Sequence, residues 1–250
     1  IQENVVKDLS SILVTPYKLK ESLNKLLEID FSAFYRSYLF ADDKLNLRET
    51  VLIDIRPDFI LMPNVGSNGI CWHEIEGMQR STPGRMMLSA FHAESLDRTM
   101  IQMVGDFRWE ICRRIQGMRW NDISEHSLTS EYYDYALFYN KNRELSQDAK
   151  EKVKLSMGRA KGNYKNLFVM DYANWIMFES KGSVKLNKVA RRIFSTYIPF
   201  RAEIYVKTKK MQKKSKNISK DRVDIIYELS DLENDIKYSS HKWIKAPQGA

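Results

Sequence analysis

Glycine and proline are scarce in this chain, at 10 and 6 of 250 residues. A barrel or sandwich of many short strands needs such residues at its turns, so their scarcity favours helices. Cysteine is scarcer still. Cys71 and Cys112 stand alone, in no CxxC pattern. Two thiols make no disulfide framework, and they read as reduced core residues of a cytoplasmic protein. No apolar run approaches the roughly 18–20 residues that span a bilayer. The opening IQENVVKDLSS is amphipathic and contains acids, unlike a signal peptide. The first residue is Ile rather than Met, which reads as a processed chain or an excerpt of a longer protein.

The familiar catalytic signatures are missing as well. There is no HExxH, GxxxxGK[ST], GxGxxG or GxSxG. No cofactor is therefore expected, and the sequence leans away from an enzyme without deciding the matter.

What is present is an ordinary folding composition, 43% hydrophobic and 29% charged, with aromatics at 12%. A chain of this size and balance builds a sizeable core. Its charge is uneven. Residues 1–150 hold 18 Lys/Arg against 22 Asp/Glu, and residues 151–250 hold 22 against 10. A balance of −4 followed by +12 marks either a solvated helical surface or a basic region that meets something anionic.

Periodicity predicts a mainly α domain over 1–200 with a two- or three-stranded β element near residues 51–75, then a basic, partly flexible extension over 201–250. Thr15-Pro16 reads as a cap and first-turn proline, followed by Leu19, Leu23, Leu26 and Leu27 on one helical face. Phe31–Phe40 fits helix or strand. Val51, Ile53 and Ile55 alternate as a strand does, and Ile70-Cys71-Trp72 reads as its return. Residues 94–117 carry the clearest helical stripe, with Phe107 and Ile111 expected in the core. Further helices are predicted at 129–141, at 146–179 with Gly158 and Gly162 as interruptions, and at 185–198 before Pro199. Residues 207–220 hold seven lysines and no acid, and so read as mobile.

Three features bear on function. His73, Glu74 and Glu76, with His92 further on, form a polar cluster of acid/base or metal-ligand types. Position i+4 from His73 is Gly77, followed by Met78, so no second histidine completes the pattern and no metal site is expected there. The loop Asn64–Gly69 is turn-rich but lacks a phosphate-binding pattern. Arg108, Arg113, Arg114 and Arg119 interleave with Trp109 and Trp120, suited to stacking on bases or to covering a core edge. Anion contacts are expected of Lys185, Lys188, Arg191 and Arg192 on a helix face, and of Lys207, Lys209, Lys210, Lys213, Lys214 and Lys216 beyond it.

The stretches MPNVGSNGICWHEIEGMQRSTPGR, GDFRWEICRRIQGMRWNDISEHSLTSEYYDY and WIMFESKGSVKLNKVARRIF together resemble the C-terminal region of large bacterial cytoplasmic proteins. Those proteins also carry a cyclic-nucleotide-binding domain. The resemblance implies an output or assembly module, with no catalytic residue to carry over and no cyclic-nucleotide pocket in this chain. The expectation is a non-enzymatic interaction or regulatory module whose partner is a protein, including a neighbouring domain of its own chain. The alternatives are a non-specific nucleic-acid-associated protein using the basic third, and an enzyme of unrecognised type using the His73/Glu74/Glu76/His92 region.

Overall fold

The computed structural model describes residues 9–42, 47–72 and 84–211. More than half of these are helical, with a small β element near the N-terminal side, so the chain is mainly α.

Thr15 caps α1 (Pro16–Leu27), its hydroxyl accepting from the Lys18 amide at 3.2 Å. The aromatic segment that follows is extended: β1 (Tyr35–Asp42) pairs antiparallel with β2 (Leu47–Asp54). Pro57 ends that run, and β3 (Asp58–Gly66) begins after it. Only Ser67 and Asn68 separate β3 from β4 (Gly69–Trp72). The two are nevertheless not a hairpin. β5 (Arg85–His92) lies between them, parallel to β3 and antiparallel to β4. The β element is thus a two-stranded and a three-stranded sheet spanning residues 35–92, larger than periodicity near 51–75 predicts. The excess comes from β1, whose aromatic segment fits helix or strand by pattern, and from β5, which reaches back in the chain to pair with β3 and β4.

Helix α2 (Leu96–Gln116) is the axis of the molecule. Met100, Met103, Val104 and Phe107 are each at most 2% exposed, while Ile111 is only partly buried. One side of α2 takes the three-stranded sheet. A Cβ on Gly69 would fall 2.2 Å from Met103 Sδ, so β4 lies close against the helix and a side chain there would have to displace Met103. The other side takes α5 (Tyr164–Met177), where Gly105 admits the ring of Tyr172.

Between α2 and α5 the chain forms α3 (Leu128–Leu137) and α4 (Gln147–Arg159). Ser127 caps α3 in a reciprocal box with Ser130. The stretch expected as one helix over 146–179 divides into α4 and α5. Lys161 and Gly162 take φ of 54° and 70°, which reverses the backbone, and Asn163 then caps α5. Asn187 caps α6 (Lys188–Tyr197), accepting from two amides at 3.0 Å. Tyr132, Phe168, Tyr172, Trp175, Phe194 and Phe200 join these helices in one aromatic core, with Trp175 and Phe200 stacked at 4.0 Å.

The chain continues helical beyond residue 200. Helix α7 (Ala202–Met211) buries Ala202, Tyr205 and Thr208, spaced three apart. The first residues of the lysine run, Lys207 to Met211, therefore sit on a helix rather than in an irregular segment. The anchor lies upstream of the run, where a count of lysines does not look.

Candidate functional site

Of the polar cluster, His73, Glu74 and Glu76 lie outside the described residues. His92 closes β5 and is 4% exposed. Its Nε2 lies 2.8 Å from Thr99 Oγ1 on α2. Burial lowers its pKa against the opposing pull of Glu94, so the imidazole is neutral at neutral pH. Its Nδ1 is buried without a hydrogen-bond partner among the described residues. Among those residues, no three His, Cys, Asp or Glu side chains converge as metal ligands would. Neither cysteine forms a disulfide, and both are partly buried. Burial pushes the Cys71 thiol far above its ordinary value, which disfavours a thiolate there. Asn64–Gly66 belong to β3, and β4 rather than a helix follows, so this loop presents no helix N-terminus to a phosphate.

Arg108, Arg113 and Arg119, beside the indoles, are held by carboxylates. Arg108 donates to Asp30 from Nε at 2.7 Å and from Nη2 at 2.5 Å, and Tyr172 Oη donates to the same carboxylate at 2.7 Å. Burial opposes the charge of Arg108, but Asp30 outweighs it and raises the pKa. Arg113 grips Glu110 at 2.8 Å, and Arg119 meets Glu125 at 2.8 Å. A depression of about 290 Å³ lies beside Trp109, Trp120 and Tyr164. Its lysine, Lys165, sits between Asp106 at 3.0 Å and Glu110 at 3.4 Å. Its charges are therefore mutually compensated.

The predicted cations on α6 behave differently from one another. Arg191 turns inward: Nε and Nη2 donate to Glu179 at 2.9 and 3.1 Å, and Nη2 also donates to the Leu186 carbonyl at 2.7 Å. Glu179 is 1% exposed and accepts from the Lys185 and Leu186 amides too. Arg191 thus locks the turn before α6, and its guanidinium is committed to Glu179 rather than to an external anion. Lys188 and Arg192 are exposed and share Glu144, at 3.7 and 2.8 Å. The Arg192 hydrogen bond holds the Glu144 carboxyl below its ordinary range. Lys185 lies 5.4 Å over the Phe178 ring. Lys207 is exposed on α7, Lys209 and Lys210 occupy its last turn, and Lys213, Lys214 and Lys216 lie outside the described residues.

Glu144 brings a second segment to this helix. Lys141 and Arg143 are exposed beside it, and Lys141 lies 5.6 Å over the Phe138 ring. A basic rim is built of Lys188 and Arg192, which share the exposed Glu144, and of four exposed cations close to them in the chain: Lys141 and Arg143 just before Glu144, and Lys181 and Lys185 just before α6. Sequence reasoning missed Lys141, Arg143, Phe138 and Phe178. Their signal is a phenylalanine followed closely by Lys or Arg, in FYNKNR and again in FESKGSVK.

A second exposed feature is apolar. Alternation turns Met86 and Leu88 of β5 into the core and leaves Met87 on the outer face, paired with Ile60 and Ile70. Around them, Met62, Val65, Ile70 and Trp72 are 43–60% exposed.

No helix among the described residues is long and apolar enough to cross a membrane. No curated protein and no solved structure matches the chain. A family described as a domain of unknown function, DUF8509, matches residues 117–249, which takes in α3 to α7 and the whole basic rim. That match covers more than half of the chain, and the chain belongs to the DUF8509 family.

Proposed function

We propose that this chain is a non-enzymatic interaction module of a larger bacterial cytoplasmic protein, and that it docks an anionic partner on the basic rim around α6. The observation that carries the reading is the rim itself: Lys188 and Arg192, exposed on α6, share the exposed Glu144, and Lys141, Arg143, Lys181 and Lys185 stand exposed close to them in the chain. Such a surface holds a positive potential that steers a negative partner and weakens as salt screens it. The resemblance to output regions of larger regulators supports a module that works by contact. Two cysteines outside any disulfide suit a reducing cytoplasm.

The test is retention on immobilised heparin, comparing the wild-type chain with Lys185→Glu/Lys188→Glu. Both side chains are exposed and form no buried contact. The wild type is expected to elute at clearly higher salt. Identical elution would show that the rim contributes nothing and that any retention comes from elsewhere in the basic third.

A further inference from the structure

We infer that the rim binds single-stranded nucleic acid, with phosphates on its lysines and arginines and unstacked bases on the rings of Phe138 and Phe178. This rests on the rim being the docking surface, and adds the class of partner.

The argument starts from a device that occurs twice. Phe138 closes α3 as its C-cap, and a single 3-10 turn, Tyr139–Lys141, follows. Phe178 closes α5 as its C-cap, and a single 3-10 turn, Glu179–Lys181, follows. Each ring is large, apolar and exposed, at 45% and 38%. Each carries an ammonium above it, Lys141 at 5.6 Å and Lys185 at 5.4 Å. The rings are held by helix ends, so their positions do not depend on loose loops.

An acidic protein surface uses the cations but takes the two rings only as apolar contact area. A nucleic-acid strand uses both. Every base has a π-face that stacks on an aromatic ring, and every nucleotide brings a phosphate to a neighbouring cation. On binding, each base takes the ammonium's place over its ring, and the displaced ammonium meets the adjacent phosphate. A duplex satisfies only the second half of this, because its bases are already stacked on one another. Compact lysine ammonium groups do not read base edges, so the expected binding is tolerant of sequence.

Arg191 does not belong to the contact, since Glu179 holds it. Arg192 and Lys188 do, once phosphate competes with Glu144, whose own bonds to them span 2.8 to 3.7 Å at the surface.

The experiment is fluorescence anisotropy of the full chain with a labelled oligothymidylate and oligouridylate of about 15 nucleotides, and with a duplex of equal length, between about 50 and 200 mM salt. The variants are Phe138→Ala/Phe178→Ala and Lys185→Ala/Lys188→Ala, each checked for wild-type melting by circular dichroism. The single strands are expected to bind at least about tenfold tighter than the duplex. Loss of the two rings is expected to weaken single-strand binding by about 5-fold or more per ring and to leave duplex binding unchanged. Loss of the two lysines is expected to weaken both and to flatten the salt slope by about 0.7 per phosphate contact on a single strand.

Duplex binding equal to single-strand binding, or ring variants that bind as the wild type does, would overturn the inference. Binding of polyglutamate but of no oligonucleotide, lost in the lysine variant, would overturn it while leaving the rim as a docking surface for acidic protein. Binding of neither polyanion at the rim would overturn both readings.

Discussion

Asp171 shows what burial does to one carboxyl group. It accepts the Tyr132 hydroxyl at 2.7 Å, yet desolvation outweighs that bond and its pKa is pushed up to about 6 from 3.8. Between those two values the folded chain keeps a proton that the unfolded chain has released. Stability from this group is therefore fully present below that window and falls as pH rises through it. Asp171→Asn keeps an acceptor for Tyr132 and cannot ionise. Thermal melts from pH 4 to pH 7 are expected to show the variant gaining on the wild type as pH rises, by about 1–3 kcal/mol at pH 7. A constant difference across that range would assign the burial cost to another group. Asp30 is the contrasting case: fully buried, it has Arg108 and Tyr172 on its oxygens and remains paired. Nothing local in the sequence joins Asp30 to Arg108, which stand 78 positions apart. Arg108 therefore read as one of a series of indole-flanking arginines, although its role is internal.

Among the elements, the α2–α5 pair is set by how closely two helices approach. A Cβ at Gly105 would lie 2.8 Å from Tyr172 Cδ1. The ring cannot retreat readily, because it is fully buried and its hydroxyl is bound to Asp30. Gly105→Ala gains about 1 kcal/mol of helix propensity but forces the pair apart at an overpacking cost of about 1–3 kcal/mol. The expected net result is a lower urea midpoint. A higher midpoint would mean that the interface yields. The elements legible in the sequence were those whose periodicity is local: the stripe of α2, the Thr15 cap, the Ser146 cap and the stop at Pro199. The division between α4 and α5 was partly legible, since Gly162 marked a weak point. The reversed φ of Lys161 beside it has no sequence signature of its own.

At the scale of the whole molecule, one hydrophobic cluster runs from Val14 to Tyr205 and takes in sheet, α2 and the later helices. A core that spans the described chain without interruption unfolds as one unit. Urea curves followed by tryptophan fluorescence, which reports Trp109 and Trp175 in that core, and by far-ultraviolet circular dichroism are expected to coincide. Separated midpoints would divide the sheet from the helices. Charge at this scale was only half legible. The +12 balance over 151–250 covers Lys181, Lys185, Lys188 and Arg192, but the rim also draws Lys141 and Arg143 from the acidic part of the chain and gives up Arg191 to Glu179.

The sequence by itself determined the helical class, most helix positions and the residues that face inward, because these follow from a period of 3.6 residues and from caps within four residues of each helix start. Tertiary structure decided the rest. It placed β5 between β3 and β4, and it chose which cations meet a carboxylate and which remain on the surface. The physical reason is range. Strand order and ion pairing depend on groups far apart in the chain, and their distances exist only after the core has closed around α2.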